Sequence, residues 1–190
     1  MALILASASP QRKTLLRGIG VSFQAIPSSI DENACDEKDP GKRAETLALL
    51  KARDVKTSHP NDWILGCDTL VEAHDGSVLE KPADAADARR MIALQSGKTS
   101  KVHSAIALIA PAGKEYVGLS TSHVRFATLD TKTIDAWIEQ GFWEDRSGAF
   151  QIDGPGQLLI EHLEGDWTGV VGLPVFLFGQ LYRKAGLAIT

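Results

Sequence analysis

The chain has 190 residues, of which 44% are hydrophobic, and a formal net charge of −4. That is enough apolar material for a substantial core, in one domain over residues 1–190 or in two small lobes, without a disulfide or a structural metal. The acidic balance and the lack of any block of like charges exclude a broad nucleic-acid surface, so an anion site must be local. The two cysteines, Cys35 and Cys67, are far apart and form neither a disulfide framework nor a zinc pattern, which points to a reducing compartment. The opening apolar run is too short for a signal peptide, and no stretch approaches the ~18 apolar residues of a membrane span. The expected location is the cytoplasm, with no membrane partner.

The run Leu3 to Ala6 predicts a buried strand that delivers the chain into Ser7-Ala8-Ser9-Pro10. Ser9 is a favoured N-cap and Pro10 suits the first helical position, while Leu15, Leu16 and Ile19 recur at helical spacing up to Gly18 or Gly20. Arg12 and Lys13 fall in the first turn, where the helix dipole disfavours cations by roughly 0.3–1 kcal/mol each. An anion bound between the serines, the cations and the free backbone N–H groups reverses that sign; the alternative is an exposed basic turn. The alternation Val21, Phe23, Ala25 predicts a second strand ending at Pro27, followed by a polar loop at Ile30-Asp31-Glu32-Asn33.

Asp39-Pro40 opens a helix whose inner face carries Ala44, Leu47, Ala48 and Val55. Lys51 shares that face, so its ammonium points toward the core or a cleft, or else snorkels at the edge of the face. Trp63 to Val71 reads as a central strand with Asp68 in its middle. A carboxylate there costs several kcal/mol unless it is paired or working, or unless Gly66 and Asp68 mark a turn between two shorter strands. Asp75-Gly76 predicts a tight hairpin whose returning strand, Ser77 to Leu79, brings Lys81 back toward Asp68.

Asp84 to Leu94 is a helix with Ala88, Met91 and Ile92 inward, stopped by Gly97. Val102–Ala110 and Glu115–Ala127 form a second hairpin, with His103 and His123 packed or exposed within it. Thr131 to Gln140 is a short helix burying Ile134, Trp137 and Ile138. A long irregular stretch, Phe142 to Gln157, carries Glu144-Asp145-Arg146, and loops of this length are functional or disordered. A strand from Leu158 to Leu163, a turn at Glu164 to Trp167 and an apolar helix from Pro174 to about Gly186 complete the chain. The mixture of elements predicts an α/β fold with a mixed sheet and a cleft between two lobes.

The chemistry-bearing residues are Ser7, Ser9, Arg12 and Lys13 for an anion, Lys51 and Lys81 as cations at a buried edge, and Glu32 and Asp68 as carboxylates. Lysines neutralise phosphate oxygens while acids hold a divalent metal and activate water, so the set fits metal-assisted phosphoryl or nucleotidyl chemistry. These residue types leave open which phosphate is attacked and whether a nucleoside is present.

Six segments, in order and nearly end to end, resemble the Maf family of nucleoside triphosphate pyrophosphatases: Leu5-Ala6-Ser7-Ala8-Ser9-Pro10-Gln11-Arg12, Gly66-Cys67-Asp68-Thr69, Leu79-Glu80-Lys81-Pro82, Ser96-Gly97-Lys98, Gly148 to Gly154, and Glu164-Gly165-Asp166-Trp167 to Gly172-Leu173-Pro174. The resemblance implies a mixed central β-sheet flanked by helices, inosine-triphosphatase-like, with two lobes around a deep cleft, and a homodimer. It also implies Mg²⁺- or Mn²⁺-dependent hydrolysis of a nucleoside triphosphate to the monophosphate and pyrophosphate. By motif position, Asp68, Glu32, Lys51 and Lys81 form the catalytic group, with Glu32 and Asp68 at the metal, while Ser7, Ser9, Arg12 and Lys13 bind the substrate.

Gln11, Thr69 and Asp153 fall where the family sets specificity. Here the chain departs from the pattern, because Gln11 replaces the first arginine of S-P-R-R, Asp153 replaces an amide, Phe150 replaces the aromatic of G-A-Y and Ser100 replaces a frequent histidine. Thr69 agrees with the branch acting on dTTP and UTP, whereas Gln11 and Asp153 lean toward the branch acting on 7-methyl-GTP. Three other readings stand beside these: a phosphatase using Asp68 as nucleophile, which wants a second acid where Leu70 stands; a nucleotide-binding regulator of cell division with little turnover; and a Cys67 nucleophile, for which no histidine is placed nearby.

Overall fold

The computed structural model describes residues 2–188. The opening apolar run forms strand β1 (Leu3–Leu5) and passes into helix α1 (Pro10–Gly18), with Ser9 as its N-cap. Strand β2 is confined to Gln24–Ala25, shorter than the alternation from Val21 predicts. The Val21 N–H is already spent on the Leu16 carbonyl at the end of α1 (3.2 Å), so the chain joins the sheet only after that cap is complete. Helix α2 (Pro40–Ser58) begins at an N-cap, Asp39, whose carboxylate accepts from the Lys42 N–H at 2.9 Å.

Strand β3 (Trp63–Glu72) is continuous, which removes the alternative of two short strands around Asp68. Strand β4 (Val78–Leu79), helix α3 (Ala85–Gln95), strands β5 (Thr99–Ile109) and β6 (Glu115–Phe126) and helix α4 (Thr131–Glu139) follow as the periodicity predicts. Ile138 of α4 is only partly buried. The last strand, β7, is Ile160–Glu164, because Pro155–Leu159 closes as a 3₁₀ turn instead. A short helix, α5 (Trp167–Val171), occupies what the sequence suggests is a turn, nucleated by the Asp166 carboxylate accepting from the Thr168 N–H at 2.8 Å. Helix α6 (Val175–Lys184) is the last helix of the described residues.

The seven strands make one mixed sheet in the order β2-β1-β3-β5-β6-β7, with β4 also on β3. β1 runs parallel to β2 and β3, and the remaining pairs are antiparallel. α2 covers one face, packing Ala44, Ala48, Ala52 and Val55 on Ile64, Leu70 and Ala105. α1 and α6 cover the other, where Leu16, Phe178 and Leu181 meet Leu65, Cys67 and Ile106. A third cluster gathers α3 and α4 around Phe126, Phe150 and Trp137. Among the described residues, no helix is long and apolar enough to cross a membrane.

Two features of this sheet position the site. β1 registers with β3 only from Trp63 to Leu65, and β4 takes up the same edge only at Val71 and Glu72. Between them the edge of β3 carries no strand, and Asp68 lies in that gap while its other edge is paired with Ala105 of β5. A central-strand residue therefore opens onto a cleft. The second feature is the close approach of α2: a Cβ on Gly66 would collide with the Ala48 carbonyl oxygen and lie 2.9 Å from the Ala52 Cβ. Gly66→Ala is expected to lower stability by about 1–3 kcal/mol, the usual range for overpacking, in a denaturant-unfolding measurement. A change below about 0.5 kcal/mol would show that α2 does not need this contact.

Candidate active site

The cleft at the gap encloses about 730 Å³. One wall is the β1–α1 junction from Ala6 to Arg12, the floor is Asp68 and Thr69, and the far wall is the segment Glu144–Asp153. Glu32, Lys51, Lys81 and Gly172 also line it.

Alternation along β3 sends neighbouring side chains to opposite faces. Asp68 faces α2, where the helix presents Lys51 one turn beyond Leu47 and Ala48. Lys51 is 7% exposed and Asp68 4% exposed. The ammonium Nζ stands 2.6 Å from Asp68 Oδ1 and 2.9 Å from Glu32 Oε2, so one buried cation bridges two carboxylates. Glu32 reaches it from a 3₁₀ turn, Glu32–Ala34, whose cap is Asp31 accepting from the Asn33 N–H at 3.0 Å. Asp68 Oδ2 is buried and has no hydrogen-bond partner. Burial pushes the Asp68 carboxyl above the usual carboxylate range; Lys51 and Arg12 pull against that, and the Glu32 charge adds to it.

On the other face of β3, Thr69 meets Arg12. The Arg12 guanidinium donates from Nε to the Gly172 carbonyl (2.8 Å), and its terminal nitrogens donate to Ser7 Oγ (3.1 Å) and Thr69 Oγ1 (3.3 Å). These bonds use three of its five N–H donors and fix its plane, leaving two for a ligand. Ser7 Oγ also accepts from the Ser9 N–H at 3.2 Å, and Ser9 Oγ accepts from the Arg12 N–H at 3.4 Å. A strand end, a capped helix N-terminus and a fixed guanidinium thus converge in one corner, an arrangement suited to an oxyanion.

The structure gathers Ser7, Ser9, Gln11, Arg12, Glu32, Lys51, Asp68, Thr69, Lys81 and Asp153 around this cleft. Two expectations need correction. Lys81 is exposed at the cleft mouth and not a cation at a buried edge; its Nζ is 3.4 Å from Asp145 Oδ1, and both side chains face water. The two-residue strand β4 ends at Leu79, so nothing carries Lys81 inward. Lys13 does not line the cleft, because the 100° step from Arg12 turns it off that helix face.

The rival chemistries find no support. Cys67 is fully buried and its thiol is pushed up to about 11 by that burial. Leu70, where a phosphoaspartate enzyme wants its second acid, packs against α2. His103 Nε2 donates to Glu72 Oε2 (2.8 Å) and its Nδ1 meets Thr121 Oγ1 (3.1 Å), outside the cleft. Sequence reasoning missed the Gly172 carbonyl, which carries no side-chain signal, and Arg146, which stood in plain view in the charged loop.

The model of the family described as Maf-like protein matches residues 2–185. The chain belongs to this family. Among Maf-like relatives, the dTTP/UTP pyrophosphatase of Koribacter versatilis (strain Ellin345) is 41% identical over 187 residues, covering 98% of this chain and 96% of that protein. The dTTP/UTP pyrophosphatase of Deinococcus radiodurans is 39% identical over 185 residues, covering 97% and 93%. A HAM1 protein from Coxiella burnetii shares the fold of this Maf-like chain, with a TM-score of 0.57 at 13% identity, over 97% of this chain and all of that one. The mixed sheet flanked by helices is therefore the architecture of a wider group than the Maf-like proteins alone.

The electrostatics of the carboxylate pair are open to direct titration. In a ¹³C carboxyl NMR titration, Asp68 is expected to lose its proton at higher pH than an ordinary aspartate. Glu32→Gln removes a negative charge that favours the protonated form, so the Asp68 transition should move to lower pH. An unmoved transition, or one moved upward, would show that the two groups are not coupled.

Proposed function

We propose that this chain hydrolyses a nucleoside triphosphate between its α and β phosphates, releasing the nucleoside monophosphate and pyrophosphate. The observation that carries the reading is Asp68 Oδ2, a buried carboxylate oxygen with no partner, on a residue that lines the same cleft as the oxyanion corner. The names of relatives at about 40% identity over nearly the whole chain support the same reaction.

In this reading the triphosphate lies along the β1–α1 junction. Its oxygens take the free backbone N–H groups of the first turn of α1, the hydroxyls of Ser7 and Ser9, and the two remaining Arg12 donors, while Lys81 screens charge at the mouth. Asp68, ionised and held by Lys51 through Oδ1, accepts a proton at Oδ2 from the attacking water. Its raised pKa makes it a stronger base than an ordinary aspartate. Lys51 fixes the orientation of Asp68 and balances the two carboxylates.

No cluster of three metal-ligating side chains occurs among the described residues. Asp68 and Glu32 still suit Mg²⁺ or Mn²⁺, since such ions take one or two carboxylate oxygens and complete their shell with water and substrate phosphate. Where Asp68 Oδ2 takes the water's proton, Glu32 is the carboxylate left to such an ion, since its pairing with Lys51 is through Oε2. A bound divalent ion would neutralise phosphate charge as it develops.

Thymine and uracil nucleotides are the preferred substrates in this reading, through Thr69 and the relatives' names. Asp153, exposed on the far wall, is the residue that favours the competing guanine reading, since a carboxylate accepts from base amines. The chain acts in the cytoplasm as a homodimer, to which the exposed Leu119 and Phe176, lining one groove, offer an apolar surface. A panel of nucleoside triphosphates assayed for pyrophosphate with Mg²⁺ or Mn²⁺ tests the reading. dTTP and UTP should exceed 7-methyl-GTP in kcat/KM by about tenfold or more, the order of discrimination that a few pocket contacts supply. A preference for 7-methyl-GTP would overturn the base assignment, and orthophosphate as the product would overturn the reaction.

A further inference from the structure

Arg146 faces the oxyanion corner from the opposite wall of the cleft. With its amide oxygen turned to satisfy both neighbours, Gln11 accepts from both terminal nitrogens of Arg146, at 2.7 and 2.5 Å, and its amide nitrogen donates to Ser9 Oγ at 3.1 Å. Gln11 lies in the first turn of α1, so the guanidinium is tied directly to the helix end where Ser9 and Arg12 stand. The tie is neutral. Among the described residues Arg146 forms no ion pair, although Glu144 and Asp145 precede it, and Lys51 and Lys81 each have a carboxylate partner.

The backbone that carries Arg146 is held firmly. Asp145, Gly148 and Ala149 all have positive φ, and two of them are not glycine. Such strain persists only where surrounding bonds enforce it. Here the Gly148 N–H donates to the Glu80 carbonyl (3.1 Å), Gln95 Nε2 to the Gly148 carbonyl (2.7 Å) and Trp137 Nε1 to the Ala149 carbonyl (2.9 Å). The strained turn aims Arg146 across the cleft at Gln11.

We infer that Gln11 and Arg146 act as one substrate-binding unit, in which the neutral amide holds the Arg146 guanidinium over the first turn of α1 to bind the polyphosphate. The position that carries an arginine in the family motif is neutral here, and the cation comes from the facing loop instead. Two guanidinium groups could not share that contact without repulsion. A glutamine keeps the hydrogen bonds and leaves the Arg146 charge uncompensated, and a guanidinium matches phosphate oxygens in geometry and charge. The inference rests on the polyphosphate reading of the cleft.

The test is calorimetric binding of inorganic tripolyphosphate in metal-free buffer, with KM and kcat measured alongside and thermal unfolding as a check on folding. Arg146→Gln should weaken tripolyphosphate binding about tenfold or more, the usual loss for one charge-assisted hydrogen bond, and raise KM more than it lowers kcat. Arg146→Lys should recover part of the loss by restoring the charge. The exchanged pair Gln11→Arg with Arg146→Gln should bind within about threefold of the unaltered chain, because the cation returns from the other side of the same contact. Binding by Arg146→Gln within twofold of the unaltered chain, or an exchanged pair no tighter than Arg146→Gln alone, would overturn the inference. Turnover of nucleotides with Arg146-independent binding would leave the proposed reaction standing. Arg146-dependent binding without turnover would remove the reaction and keep this unit.

Discussion

The Lys51–Asp68 ion pair is the contact on which the rest of the molecule is arranged. Placing two charges inside a sheet-and-helix interface costs several kcal/mol per ion, and removal of one partner from such a pair usually destabilises a protein by about 3–5 kcal/mol. Close approach is needed to bring the ammonium within 2.6 Å of the carboxylate, and Gly66 supplies it by letting α2 settle on β3 two residues before Asp68. The gap between β1 and β4 then gives the pair its outlet. Without that gap Asp68 would be a paired core residue with no access to a ligand. With it, one carboxylate oxygen is held and the other is left buried and unpartnered on a residue that lines the cleft.

The two faces of β3 divide the labour. Asp68 turns toward α2 and the acid–base group, while Thr69 turns toward Arg12, Ser7 and the Gly172 carbonyl, which together shape the oxyanion corner. In the proposed reaction, adjacent positions on one strand would thus carry reactivity and binding, and the period of two that builds a sheet would separate them without any additional element. Glu32 and Gln11 extend each half from flanking turns. The long irregular stretch after α4 is pinned by three hydrogen bonds and serves as the far wall.

Much of this was legible in residue pattern. Lys51 on an apolar helix face and Asp68 within an apolar strand were anomalies with several readings, and the structure relieves both by pairing them with each other. The N-cap Ser9 and the N1 Pro10 of α1 likewise stand where the residue pattern puts them. What the pattern could not show was set by backbone geometry. Lys81 was misplaced because a two-residue strand gives it no inward path, and Lys13 because neighbouring helical positions diverge by 100°. Val21 and Leu158 read as strand, yet Val21 is claimed by a helix cap and Leu158 by a 3₁₀ turn. Gly172 acts through its carbonyl, which every residue possesses, and the Gln11–Arg146 contact spans a separation in sequence that no local pattern encodes.

The central claim is that Asp68 is a working carboxylate and not only a structural partner for Lys51. Pyrophosphate release by Asp68→Asn, measured beside circular dichroism and nucleotide binding, separates the two. The account predicts a folded protein that binds nucleoside triphosphate and releases pyrophosphate about 100-fold or more slowly than the unaltered chain, as loss of a general base entails. A folded Asp68→Asn protein with turnover within about threefold of the unaltered chain would contradict it.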